Sequence, residues 1–269
     1  MDVEESAALS VVDCFVSVPG GRLFVRQWRP ARADKAPLIL LHDSLGSVAQ
    51  WRDFPAALAA RLQRPVIAYD RLGFGQSSQQ HGPAKGSFID DEAHLHLPAL
   101  VQALGLSRYL LFGHSVGGAM ALAAASLPGS GCLALVSESA QAFVEDRTLA
   151  GIRAAKQGFE ESAQFARLGR WHGERARWVL DAWTETWLSP AFRHWSLVPR
   201  LAHVHCPVLV LHGEEDEFGS AAFPRAIADG VSGVAQMALL PACGHVPHHE
   251  REAEVMALVE AFLSRHCID

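Results

Sequence analysis

The chain alternates short apolar runs with longer segments of helical spacing. In chain order the runs are APLILLHD, RPVIAYD, RYLLFGH, CLALVSES, CPVLVLHG and AQMALLP. Continuous apolar strands that alternate with helices are typical of a parallel sheet covered on both faces. The pattern predicts a doubly wound α/β fold that opens with an antiparallel hairpin over residues 14–18 and 22–28. The predicted helices cover residues 51–62, 88–104, 115–126, 221–230 and 249–266.

The alternation of strands and helices is interrupted over residues 141–200, which contain no strand-like run and hold five of the seven tryptophans. We predict an inserted helical cap over 141–200, between core segments 1–140 and 201–269. Trp171 and Trp178 should share a helix face by their seven-residue spacing, as should Trp183 and Trp187 by their four-residue spacing. Aromatic side chains of this kind favour packing between cap and core.

Composition narrows the class of partner. With 269 residues, 49% of them hydrophobic, the chain can bury one large core. A net charge of −6 without a basic cluster argues against nucleic acid and against a membrane surface, so a small-molecule substrate is the expected partner. The acidic start MDVEESAALS is unlike a signal peptide, and five scattered cysteines without a CxxC pair suit a reducing compartment. We therefore expect a cytoplasmic protein.

The stretch LLFGHSVGG places Ser115 where a strand ends and a helix begins. It contains the G-x-S-x-G pattern of a nucleophile elbow, in which the serine occupies a strained turn at the sheet edge. Bulky side chains two residues to either side would collide with neighbouring backbone, which is why Gly113 and Gly117 suit the turn. The alternative is a tight glycine turn in which the serine only caps the helix.

A serine nucleophile needs a histidine base and a carboxylate that orients it. His245 follows the last strand-like run in PACGHVP, and its loop can reach the edge that carries Ser115. In LHGEEDEF, Asp216 is the preferred acid among four neighbouring ones, with Glu138 as the fallback. The other histidines near these motifs, His114, His248 and His249, are expected to be surface or packing residues.

Backbone amides must stabilise the negative charge that develops on the attacked carbonyl oxygen. The N–H of Val116 at the start of the helix is one predicted donor, and the N–H of Ser44 in the loop HDSLG is the other. The alternative is that this loop only connects a strand to a helix. Two H-x-H pairs, His94 with His96 and His203 with His205, suggest a metal site. No carboxylate or cysteine ligands complete either pair, so no metal is predicted.

Together these motifs resemble the α/β-hydrolase superfamily over nearly the whole chain. LLHDSLGSVAQW resembles its oxyanion loop, YDRLGFGQSS its loop after the fourth strand, GHSVGG its elbow, LHGEED its acid loop and GHVPHHE its histidine loop. The resemblance implies an eight-stranded, mostly parallel sheet, a helical cap, and a catalytic set of Ser115, Asp216 and His245. Many relatives have glycine where this chain has Asp43, which bears on the Ser44 assignment.

The resemblance favours a serine hydrolase for a small carboxylic ester or related acyl substrate, working through an acyl-enzyme without a cofactor. Two alternatives stay open. The same residues serve a carbon–carbon bond hydrolase or lyase, and the same fold also builds non-catalytic ligand receptors.

Overall fold

A computed structural model describes residues 9–32 and 34–268, and these residues build one eight-stranded sheet with the strand order β1-β2-β4-β3-β5-β6-β7-β8. The strands are β1 (Ser10–Val18), β2 (Gly21–Arg29), β3 (Leu38–Leu41), β4 (Val66–Tyr69), β5 (Tyr109–His114), β6 (Cys132–Glu138), β7 (Val208–Gly213) and β8 (Ala235–Leu240). Strands β3 to β8 are mutually parallel, whereas β1 and β2 form an antiparallel hairpin that joins through β2 to β4. The predicted α/β sheet is confirmed, and its hairpin is longer than the sequence pattern indicated.

Helices cover both faces of this sheet. They are α1 (Phe54–Leu62), α2 (Phe88–Asp91), α3 (Leu97–Ala103), α4 (Val116–Ala125), α5 (Asp146–Gly158), α6 (Ser162–His172), α7 (Ala176–Trp187), α8 (Val198–Leu201), α9 (Ala222–Gly230), α10 (Pro247–Glu250) and α11 (Glu252–Arg265). One apolar cluster joins the sheet to α1 and α11, and a second joins it to α3, α4 and α9. These two buried layers explain why the central strands are apolar along their whole length.

The helix predictions hold in position and differ in their ends. The segment predicted over 51–62 is a 3₁₀ turn, Val48–Trp51, followed by α1. The segment over 88–104 is α2 and α3 joined by a π-helical turn, Glu92–His96. The last predicted helix is divided into α10 and α11 at Arg251. No helix among the described residues is long and apolar enough to cross a bilayer.

The segment between β6 and β7 carries α5, α6 and α7, which are longer than the short helices that the sequence suggested. Leu168, Val179 and Leu180 of these helices form a small apolar cluster with Phe74. Phe74 follows β4, so the inserted helices pack on the loops at the carboxyl edge of the sheet. The division into a core and a cap at 141–200 remains a prediction.

One prediction about the tryptophans is wrong. Trp171 belongs to α6 and Trp178 to α7, so their seven-residue spacing does not place them on one helix face. The helix ends because Gly173, with φ +58°, turns the chain between them. Trp183 and Trp187 do lie together on α7.

Candidate active site

Ser115 lies in the sharp turn between β5 and α4. Its φ of 57° and ψ of −126° are strained for a residue with a side chain. A Cβ on Gly113 would overlap the carbonyl of Gly117, and a Cβ on Gly117 would overlap the carbonyl of Leu41. The glycines therefore let the serine turn pack against the end of β3.

The structure brings Ser115, His245 and Asp216 together in one chain of hydrogen bonds. His245 Nε2 lies 3.0 Å from Ser115 Oγ. His245 Nδ1 lies 2.9 Å and 2.8 Å from the two carboxylate oxygens of Asp216. The backbone N–H of Phe218 donates to Asp216 Oδ1 at 2.7 Å, which helps to fix the orientation of the carboxylate. Because Asp216 accepts at Nδ1, Nε2 is the nitrogen free to take a proton from the serine.

Protonation of the His245 and Asp216 pair follows from burial and mutual charge. Burial alone would lower the pKa of His245, but the hydrogen bond and negative charge of Asp216 outweigh it and hold that pKa above its ordinary value. Burial would likewise raise the pKa of Asp216, yet the hydrogen bond and charge of His245 lower it. Asp216 thus stays a carboxylate near neutral pH, and it stabilises the imidazolium that a proton transfer creates.

The fallback acid is engaged elsewhere. Glu138, at the end of β6, lies 2.5 Å through Oε2 from His248 Nδ1, and both side chains are buried. Of the two expectations for His248, a surface position or a packing position, the surface position is therefore wrong. His114 Nε2 lies 2.8 Å from the backbone oxygen of His245, so the residue before the serine contacts the histidine loop directly.

The same three side chains form the one cluster among the described residues that could hold a metal ion. Ligand atoms of His114, Glu138 and His248 all lie within 4.8 Å of one another. Hydrogen bonds to the His245 carbonyl and between Glu138 and His248 already engage them. The H-x-H histidines belong to no such cluster in the described part of the chain.

The two predicted backbone donors belong to the helix that follows the serine and to the loop after β3. Val116 is the first residue of α4, where an amide has no helical carbonyl one turn before it. Ser44 lies in the loop after β3 and lines a cavity of about 250 Å³ together with Ser115 and His245. Val116 and Ser44 remain predictions as donors to a substrate oxygen.

This cavity, which we call the triad cavity, has mostly uncharged walls. Phe159, Trp183, Trp187 and Phe218 supply aromatic surface, while Asp43 and Glu217 supply carboxylates. A second cavity of about 340 Å³, the aromatic side cavity, shares Ser44, Trp183 and Trp187 with it and also contacts Arg71 and Trp178. The two cavities are therefore neighbours that share walls formed by α7.

Sequence reasoning missed two residues at the serine. Gln141 Nε2 lies 3.2 Å from Ser115 Oγ, and only 5% of Gln141 is exposed. The ring of Phe218 packs edge-on against His245 with centroids 4.8 Å apart. Gln141 lies three residues after the end of β6 and Phe218 five residues after the end of β7, in the loops at the sheet edge where candidates are sought.

Comparisons with known proteins agree with this architecture. A family model described as "alpha/beta hydrolase fold" matches residues 36–252. Proline iminopeptidase from Mycobacterium smegmatis has a TM-score of 0.75 at 24% identity, covering 95% of this chain and 98% of that one. The 2-hydroxymuconate semialdehyde hydrolase of Pseudomonas sp. (strain CF600) is 27% identical over 252 residues, 85% of this chain and 87% of that protein.

A mouse (Lyso)-N-acylphosphatidylethanolamine lipase is 31% identical over 108 residues, which are 40% of this chain and only 31% of the lipase. The matched segment therefore spans less than a third of that relative. The family model covers far more than half of the chain. The chain belongs to the alpha/beta hydrolase fold family.

Proposed function

We propose that the chain is a serine hydrolase that cleaves a small carboxylic ester or related acyl substrate through an acyl-enzyme. The observation that carries this proposal is the continuous chain from Ser115 Oγ to His245 Nε2 at 3.0 Å, and from His245 Nδ1 to Asp216 at 2.8 Å. A hydroxyl beside an imidazole that is oriented by a buried carboxylate is the arrangement that activates serine as a nucleophile.

In the first half of the reaction, Ser115 Oγ attacks the carbonyl carbon while its proton moves to His245 Nε2. The carbonyl oxygen becomes an oxyanion that accepts hydrogen bonds from the N–H groups of Val116 and Ser44. His245 then gives its proton to the leaving oxygen as that bond breaks, which leaves the acyl group on Ser115.

In the second half, His245 takes a proton from a water that attacks the acyl carbon. Collapse of the second tetrahedral intermediate releases the carboxylic acid and returns the proton to Ser115 Oγ. The aromatic walls of the triad cavity favour an apolar acyl group, since they exclude water from the reacting bond.

A second candidate, hydrolysis of a carbon–carbon bond by the same residues, is favoured by one observation. The similarity to 2-hydroxymuconate semialdehyde hydrolase extends over 85% of this chain, whereas the similarity to the lipase extends over 40%. Both candidates use the serine–histidine pair, and they differ in the bond that breaks.

The test presents activated esters, thioesters, lactones and vinylogous diketones to wild type, Ser115→Ala and a control, Ser126→Ala at the end of α4. We expect turnover of esters by wild type and the control, and a loss of at least about 10⁴-fold in Ser115→Ala. An acyl mass should appear on the peptide containing Ser115. Full turnover by Ser115→Ala would overturn both candidates, and turnover of diketones alone would favour the second.

A further inference from the structure

Arg71 is a buried cation without a carboxylate partner. Only 4% of the residue is exposed, and among residues 9–32 and 34–268 no carboxylate oxygen lies within 4.0 Å of its guanidinium. Its Nε finds no hydrogen-bond acceptor within the described chain. Burial lowers the pKa of Arg71, and the nearby charges of Glu92 and Asp43 offset only part of this effect, so the placement of the cation is costly.

The guanidinium holds one backbone carbonyl in the loop after β3. Arg71 Nη2 donates to the carbonyl of Asp43 at 2.6 Å. The Nε2 atom of His42 accepts from the backbone N–H of Arg71 at 3.1 Å, so its Nδ1 carries the proton and donates to the same Asp43 carbonyl at 2.9 Å. The Phe74 ring fixes the guanidinium from one side, with Cζ 4.2 Å from the ring centroid.

The carbonyl of Asp43 belongs to the same peptide unit as the N–H of Ser44. The described chain contains no cis peptide bond, so this N–H points away from the carbonyl and away from Arg71 and His42. Ser44 lines both cavities, and of these two Arg71 lines only the aromatic side cavity. The guanidinium therefore lies on the carbonyl side of the peptide unit, and the Ser44 N–H lies on the other side.

We propose that Arg71 is a positioning residue that orients and polarises the Asp43–Ser44 peptide so that the Ser44 N–H acts as an oxyanion donor. The inference rests on the proposed function, because it needs an oxyanion. Arg71 and His42 donate to this carbonyl alongside the N–H of Gly46, which lies 3.3 Å away. These donors withdraw electron density from the amide, which strengthens the hydrogen bond that its N–H gives. The positive charge also stabilises the developing oxyanion through a medium that contains little water.

The test uses Arg71→Gln, which keeps an N–H donor and loses the charge, and Arg71→Lys, which keeps the charge. The matched control is Arg175→Gln, because Arg175 also donates to backbone carbonyls of the loop after β4, those of Gly75 and Ser77. Two ligands separate the stages of the reaction. A trifluoromethyl ketone adds to Ser115 and carries an anionic oxygen, while the matching methyl ketone binds without adding.

We expect Arg71→Gln to lower kcat for an activated ester by about 30-fold, below the 10²–10³-fold typical of losing a direct donor, with KM within about threefold of wild type. Affinity for the trifluoromethyl ketone should fall by the same factor as kcat, while affinity for the methyl ketone stays constant. Arg71→Lys should lose less than Arg71→Gln, and Arg175→Gln should behave as wild type in all three measurements.

All values are normalised to serines titrated with a fluorophosphonate, so partial unfolding lowers the number of active sites without changing the ratio of the two ketone affinities. If the glutamine variant does not fold, the two ketone affinities are compared between wild type and Arg71→Lys. Equal losses for both ketones would overturn the proposal and make Arg71 a substrate-binding group. An unchanged kcat would overturn it as well. A wild type that forms no adduct at all contradicts the proposed function instead.

Discussion

His248 Nδ1 lies 2.5 Å from Glu138 Oε2, and neither residue is exposed to solvent by more than 3%. Burial raises the pKa of Glu138 to about 7 and lowers the pKa of His248 to about 3. Below pH 7 the proton therefore resides on the carboxyl group, and the pair is neutral. His114, whose pKa burial lowers to about 4, is neutral beside it.

We predict that Glu138→Gln gains stability relative to wild type as pH rises. The folded-state pKa of about 7 lies above the ordinary 4.5, so the contribution of Glu138 to stability is complete below pH 4.5 and is lost as pH passes through 7. Glutamine stays neutral and can still donate to His248. Urea unfolding at pH 5.5 and 8.5 should show a relative change on the order of 2 kcal/mol.

The exposed Glu252→Gln serves as the control, because its side chain lies on the surface of α11. Its stability should follow wild type at both values of pH. Equal pH dependence of wild type and Glu138→Gln would contradict a buried, neutral carboxyl group.

A second prediction concerns the pH dependence of turnover. His245 must be neutral to accept the serine proton, and Asp216 holds its pKa above the ordinary 6.5 despite burial. The value of kcat/KM for an ester should therefore fall as pH decreases, with a midpoint above 6.5. Asp216→Asn removes the charge, so the midpoint should move to lower pH while kcat falls by about 10⁴-fold.

Glu215→Gln is the control for this experiment, since it removes a neighbouring exposed carboxylate of the same loop. It should leave both the midpoint and kcat within about twofold of wild type. If wild type and Asp216→Asn showed the same midpoint, the loss of kcat/KM at low pH would not come from protonation of His245.

The turn at Ser115 gives a third prediction. A methyl group on Gly117 would overlap the carbonyl of Leu41 at the end of β3, where backbone cannot yield as a flexible side chain would. Gly117→Ala should cost about 3 kcal/mol in the free energy of unfolding, measured by urea denaturation.

The control is Gly169→Ala in α6, where a Cβ meets no atom within 4 Å. It should be neutral or gain up to about 1 kcal/mol from helix propensity. Equal stability of the two variants would contradict the close approach of Gly117 to the carbonyl of Leu41.

The sequence predicts much of this site because strand ends meet at one edge of a parallel sheet. Ser115, Asp216 and His245 each lie in a loop after such an end, and this position together with the G-x-S-x-G motif and the family resemblance made them candidates. The sequence does not show which carboxylate pairs with which histidine. Glu138 and Asp216 both lie at or just after the end of a strand, and only the hydrogen bond in the folded chain assigns Glu138 to His248. The contact between Arg71 and the Asp43 carbonyl has no periodic signal, because both residues lie in loops.

The last prediction concerns Trp183, which lines both the triad cavity and the aromatic side cavity. Its ring packs edge-on against Phe218 with centroids 5.7 Å apart, and Phe218 in turn contacts His245. Trp183→Ala should join the two cavities and admit longer acyl groups. Each methylene newly buried contributes about 0.8 kcal/mol. Two such groups should raise kcat/KM for a long ester relative to a short one by about tenfold.

Trp171→Ala is the matched control, because Trp171 is 39% exposed and borders neither of these two cavities. Its ratio of long-chain to short-chain kcat/KM should equal that of wild type, measured over a series of p-nitrophenyl esters. If Trp183→Ala instead lowers kcat/KM for every ester by the same factor, then its ring acts by holding Phe218 against His245. In that case the side cavity takes no part in binding the acyl group.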